Sequence, residues 1–192
     1  MIQKHKLKIF TAAALALLIL LCAPAAPAEQ AGESAVNWDM TIQDMMALEG
    51  VTEDDGRLSV FKYGEFSQYC LQRTDLDYVG IAAYFFKADR LVMYGINIGT
   101  SMQRETQDFT AIFTDLLTEF TREYGEPATV DPQAAIDASN AIDGGSLEPE
   151  DIVAFAGWEL DGDTALYHVY TRDKDGETII TAYINKSRLF SE

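Results

Sequence analysis

Apolar and polar positions follow two rhythms along this chain, steps of three and four in some segments and strict alternation in others. In "WDMTIQDMMALEG" the apolar residues Ile42, Met45 and Met46 share one helical face. Thr41 is a good N-cap, and Asp44 three residues on completes a capping-box pair. Met40 and Met45 flank the cap as a hydrophobic staple; Gly50 is a left-handed stop, with Val51 placed to pack back on Met46. The spacing predicts a helix from Ile42 to Glu49. Alternation then predicts strands over Leu58 to Lys62 and Phe66 to Gln72, and over Val79 to Phe86 and Arg90 to Ile98 about a turn at Lys87-Ala88-Asp89. Phe109, Ile112, Phe113, Leu116, Leu117, Phe120 and Tyr124 form the stripe of a long helix that Gly125 and Pro127 end. Asp115, Glu119, Arg122 and Glu123 take its other faces.

Residues 129–150, rich in Ala, Asp, Gly and Pro, read as an insertion in which Asp131-Pro132 opens a small helix. After it a strand is expected near Gly157 to Leu160. "TALYHVYTR" and "ETIITAYIN" then alternate around the turn "DKDG". Strands joined by tight turns pair antiparallel, and helices cover a sheet's apolar face. The expected fold is therefore α+β: an antiparallel sheet with two main helices packed on one face. Its helix–strands–helix–strands order suits two helix-plus-meander units. Residues 38–190 are expected to form a single domain behind a flexible leader at 29–37.

The first residues change where this domain is placed. Lys4, Lys6 and Lys8 precede an apolar run from Ile9 to Cys22, and Ala26-Pro27-Ala28 supplies small residues for cleavage before Glu29. This is the pattern of a secretory signal peptide at 1–28, and the expected location is extracytoplasmic. The alternatives are an uncleaved N-terminal membrane anchor and a lipid on Cys22. The chain carries 31 acidic against 14 basic residues, net −17, and loss of the three lysines makes it more acidic still. Such a charge repels phosphate backbones and anionic lipid, which disfavours nucleic-acid binding and polybasic membrane docking.

After cleavage one cysteine and one histidine remain, Cys70 and His168. Neither a disulfide nor a multi-His or Cys-rich zinc set can be built from them. No nucleophile elbow and no phosphate-binding loop occurs. "TRDKDGETIITA" places Asp173, Asp175 and Gly176 as an EF-hand loop would, but Ala182 stands where the bidentate Glu is needed, and a hairpin turn explains the segment. Met45 and Met46, adjacent on a helix, diverge by about 100° and do not converge on a metal. No catalytic residue, metal or cofactor is expected; a carboxylate-based envelope hydrolase and a purely structural envelope protein are the alternatives to a binding domain.

"MTIQDMMALEG" resembles the G-M-[ST]-x-x-x-[VM]-x-x-[LI]-x-G helix that opens domains of the β-lactamase-inhibitor-protein-like and SmpA/OmlA-like envelope families. The chain is similar also to secreted or lipid-anchored Gram-positive proteins that begin W-G-M-S-x-x-E-V. Their Y-Y-F-x-x-x-x-L hairpin has its counterpart in "YFFKADRL", their K-Y-G-x-P helix end in "EYGEP", and their late Trp in Trp158. Asp39 departs from the pattern, standing where they have Gly. The resemblance implies helices on an antiparallel sheet whose other face docks a protein partner, and it implies no reaction. With Ile81, Ala83 and Phe85 and Ile180, Ala182 and Ile184 set toward the helices, the open face would carry Tyr84, Phe86, His168, Tyr170 and Tyr183. These are the expected contacts to a protein or peptide of the cell envelope.

Overall fold

The computed structural model describes residues 37–73, 78–103, 105–128, 132–136, 148–174 and 176–190. The expectations for the signal peptide, the leader and most of the insertion fall outside the described residues.

Helix α1 spans Ile42–Glu49. The Thr41 hydroxyl accepts from the Asp44 N–H at 3.2 Å and the Asp44 carboxylate accepts from the Thr41 N–H at 2.9 Å, closing the capping box. Gly50 sits at φ 62°, ψ 40°, and the Val51 N–H returns to the Met46 carbonyl at 3.0 Å. Strands β1 (Leu58–Tyr63), β2 (Phe66–Arg73), β3 (Gly80–Lys87) and β4 (Arg90–Gly99) follow as a meander. Between β3 and β4 both Ala88 and Asp89 have positive φ, 48° and 61°, as a two-residue type I′ hairpin requires. The Asp89 carboxylate accepts from the Ile42 N–H at 3.1 Å, so the hairpin tip also serves the start of α1.

Helix α2, Phe109–Tyr124, begins at Asp108, whose side chain accepts from the Ala111 N–H. Residues 133–136 form a further helical turn within the expected insertion. Strand β5 covers Ile152–Glu159, so it starts earlier than the strand expected near Gly157 and ends before Leu160. An irregular register between Ile152 and Ala154, where Val153 is squeezed out, hides its alternation. Strands β6 (Thr164–Asp173) and β7 (Gly176–Asn185) form the last hairpin. The short helix α3, Lys186–Leu189, was not expected; Asn185 caps it and Leu189 buries beneath it.

All seven strands join one antiparallel sheet in the order β1-β2-β3-β4-β7-β6-β5. The fold is α+β. Helix α1 packs over β2, β3 and β4, with Met45 fully buried among Tyr69, Leu71, Tyr84, Phe86 and Tyr94. Helix α2 covers β7, β6 and β5 through Phe109, Phe113 and Phe120. Register shows that both helices lie on the same side: Tyr69, Tyr84, Tyr94, Tyr183, Leu166 and Trp158 are successive cross-strand partners. On the far face, Phe85, Val92, Tyr167, Val169 and Ile184 form a second core, capped by Leu189 and by Ala134 and Ala135.

The faces are thus the reverse of those expected. Tyr84 and Phe86, with Ile179 and Tyr183, point to the helices; Ile81, Ala83 and Phe85, with Ile180, Ala182 and Ile184, point away. Strands β3 and β7 are apolar at consecutive positions, so alternation alone leaves the choice of face open, and a one-residue shift exchanges every side chain.

Within the sheet, among the described residues, the two meanders pair only through β4 and β7. There Gly95 stands opposite Ala182, and a Cβ at Gly95 would run into the Thr181 carbonyl oxygen and lie 3.1 Å from the Ala182 Cα. Backbone atoms cannot move aside without opening the seam. Gly95→Ala is expected to lower unfolding free energy by about 1–3 kcal/mol or more, as overpacking does. Gly162→Ala, where a Cβ meets nothing within 4 Å, should leave the urea midpoint within error. Equal midpoints for the two variants would refute the close-approach argument.

Candidate functional site

Each of the five expected contact residues lies beneath a helix. The Tyr84 side chain is buried, and its hydroxyl donates to Glu49 Oε1 at the end of α1. Arg73 holds the same carboxylate with Nη1 at 3.1 and 2.8 Å. Burial, with Tyr94 and Glu49 beside it, pushes the Tyr84 phenol far above its ordinary range. Phe86, fully buried, meets Tyr69 edge-on at 5.7 Å. Tyr183 stacks on Tyr94 at 6.4 Å, and its hydroxyl lies 3.2 Å from that of Tyr124. Burial raises both phenols, that of Tyr124 to about 12. Tyr84, Phe86 and Tyr183 therefore belong to the aromatic floor shared by the helices.

His168 and Tyr170 lie under α2. The imidazole is fully buried and stacks on Phe113 with ring centroids 4.3 Å apart. Its Nε2 is 3.1 Å from the Phe113 carbonyl and its Nδ1 is 2.9 Å from the Thr181 hydroxyl. A neutral ring protonated on Nε2 satisfies both partners: it donates to the carbonyl and accepts from the hydroxyl. The Tyr170 hydroxyl donates to Glu177, which also takes Arg172 Nη2 at 2.6 Å. Tyr170, then Arg172, lowers the Glu177 carboxyl below its ordinary range. These groups hold α2 and a hairpin in place, and the His168 and Tyr170 rings offer nothing to solvent.

Of the exposed large apolar side chains, Val153 on β5 and Phe190 after α3 stand singly, whereas Val60, Phe61 and Tyr63 gather on one strand at the opposite end of the sheet. Strand β1 extends beyond the cover of α1, and five of its six residues are exposed. On the far face Phe61 and Tyr63 are 46% and 38% exposed, their rings stacked at 6.5 Å and 15°. Phe66, opposite Tyr63, is half-buried, with Lys87 Nζ 5.6 Å above its ring. Cys70, Ile81 and Ala83 continue the corner as partly exposed positions. Burial pushes the Cys70 thiol up to about 11, so it is protonated and a poor nucleophile. Val60 is 41% exposed on the helix side of β1. The loop before it carries Glu53, Asp54 and Asp55; Arg57 pairs with Asp55 at 2.7 Å and holds that carboxyl down to about 2. The consecutive apolar pair Val60-Phe61 in a short first strand was the available sequence signal for this corner. A strand apolar on both faces but lacking a helix above it must expose one of them. Among the described residues no three His, Cys, Asp or Glu side chains come together to hold a metal ion.

Comparison of the chain with family models, with curated proteins and with solved structures gives no match.

The buried histidine makes stability depend on pH. Burial lowers its pKa from 6.5 to about 4. Above 6.5 the ring is neutral in both states and the fold keeps its full stability. As pH falls from 6.5 to 4 only the unfolded state gains the proton, so stability falls by about 1.4 kcal/mol per unit, about 3 kcal/mol in all. Below 4 this group contributes no further change. Urea titrations at intervals from pH 7 to 4.5 should show the advantage of wild type over His168→Gln shrinking through this window; a constant difference would assign the loss to other groups.

Proposed function

We propose that this chain is a non-catalytic, extracytoplasmic domain of the cell envelope. In this reading it binds a protein or peptide through the uncovered corner of its sheet formed by β1, β2 and β3. The observation that carries the reading is the stacked Phe61–Tyr63 pair, exposed on a terminal strand while the aromatic row from Tyr69 to Trp158 is buried or nearly so. Two rigid aromatic side chains side by side give a partner large contact area at low entropic cost. The signal-like first 28 residues support an extracytoplasmic location, with a lipid on Cys22 or an uncleaved anchor as other means of attachment. The likeness to envelope domains that dock partners on a sheet face agrees with this reading, as does the organisation into two helix-plus-meander units. The acidic balance points to protein rather than nucleic acid or a polybasic-type membrane contact.

A photo-crosslinking amino acid placed at Phe61 or Tyr63 in cells should give one dominant adduct, identified by mass spectrometry. The same group at Thr114 or Thr118, on the exposed side of α2, should not capture it. Phe61→Ser combined with Tyr63→Ser should weaken capture by about tenfold or more, with little change in melting temperature because both side chains are already exposed. Capture that is equal at all four positions, or indifferent to the double substitution, would remove this corner as the binding surface.

A further inference from the structure

The two edges of the sheet are treated differently, and the difference specifies a mode of binding. At β5 the register is broken at Val153, a 3₁₀ turn at Pro149–Asp151 precedes the strand, and the Ala128 N–H donates to the Gly157 carbonyl from outside at 2.9 Å. Bulges and covering segments of this kind block further strand pairing. Strand β1 has none of these devices among the described residues. Its six pairs with β2, from Leu58↔Leu71 to Tyr63↔Phe66, run without a shift. It contains no proline, one lysine, and exposed Val60, Phe61 and Tyr63. Alternate residues of such a strand turn their N–H and C=O away from β2, toward solvent.

We infer that β1 accepts an extended, basic peptide segment of a partner as an eighth strand. This rests on the reading of the corner as a binding surface and adds how that surface is used. Charge selects the occupant. The loop from Val51 to Arg57 joins the end of α1 to the start of β1, and Val51 and Leu58 at its two ends pack in the core beneath α1. Glu53 and Asp54 on it are exposed, and no cation pairs with either among the described residues. A strand added outside β1 would alternate in the same sense. Its residues on the far face would meet Phe61 and Tyr63, and those on the helix face would meet Val60 and Lys62, with the acidic loop at the Leu58 end of the strand. Apolar residues alternating with lysine or arginine fit both faces. A second copy does not fit, because each copy carries 31 acidic against 14 basic residues and two like-charged chains repel.

The test uses a synthetic ten-residue peptide of alternating lysine and valine, titrated by calorimetry against the chain as exported by the cell. It should bind about tenfold or more tightly than a fully N-methylated version with the same charges and side chains, and than the glutamate–valine counterpart. Of the adjacent N–H groups of Val60 and Phe61 one points outward, so one of Val60→Pro and Phe61→Pro should keep the melt yet lose the lysine–valine peptide. Bound peptide should protect alternate β1 amides from hydrogen exchange. Equal affinity of the N-methylated peptide would reduce the contact to charge and overturn strand addition. The Phe61→Ser/Tyr63→Ser crosslinking result would still judge the surface itself. Alternate β1 amides protected in the free monomer would place a segment of the same chain on the edge. A concentration-dependent dimer that competes with the peptide would place a second copy there. Either finding would overturn the proposal.

Discussion

The arrangement depends on how closely β4 and β7 approach at Gly95. The first meander contributes β1 to β4 and the second β5 to β7, and this seam is their only junction within the sheet. No side chain other than hydrogen fits between the Gly95 Cα and the Thr181 carbonyl. With the seam closed, seven residues of β4, from Met93 to Gly99, pair in register with β7. That register sets Tyr94 opposite Tyr183 and Ile98 opposite Ile179, so the floors beneath α1 and α2 become one continuous surface. Within the second meander, the β6–β7 register sets the Thr181 hydroxyl level with His168, where it completes the imidazole's hydrogen bonds.

The tyrosines on this floor show why residue type was a poor guide to exposure. Tyr84, Tyr183 and Tyr170 each bury a ring, and each hydroxyl finds a partner at the end of its reach: Glu49 on α1, Tyr124 on α2, Glu177 on β7. A phenol so satisfied loses little by leaving water, whereas its ring gains the full apolar burial. The Glu49 carboxylate is in turn neutralised by Arg73, so the polar end of the cluster stays balanced. His168 follows the same logic, held as a neutral ring between a carbonyl and a hydroxyl.

What could be read from the sequence follows from where local chemistry decides. The boundaries of α1 were legible because Thr41, Asp44 and Gly50 act within one turn of the helix. The end of α2 at Gly125 and the hairpin at Ala88-Asp89 were legible for the same reason. The direction of each strand's faces was not, because Ile81, Ala82, Ala83, Tyr84, Phe85 and Phe86 are all compatible with burial and both faces of β3 are in fact packed. Only the position of the helices breaks that symmetry, and it is a tertiary fact. Helix α3 was missed because four residues carry too little periodicity, its one local sign being the Asn185 cap. Without Leu189 above it, the far-face core of Val92, Tyr167 and Ile184 would stand more open.

That partial cover makes the β1 corner different from the rest of the far face. Over β7 and β6, Leu189 and the turn at 133–136 close the apolar surface, and Ala165, Tyr167 and Val169 are buried. Toward β1 neither element reaches, and α1 stops short on the other side, where only Leu58 touches its core. A terminal strand exposed on both faces gains little from burial, so its own packing gives weak reason to keep Val60, Phe61 and Tyr63 apolar. Polar residues at these positions would cost the monomer little and would guard it against edge-to-edge association, as the bulge guards β5. The strong negative charge works against association with its own copies instead, by repulsion. An apolar, regular edge without a bulge, guarded by one lysine and by net charge, is therefore hard to account for as packing.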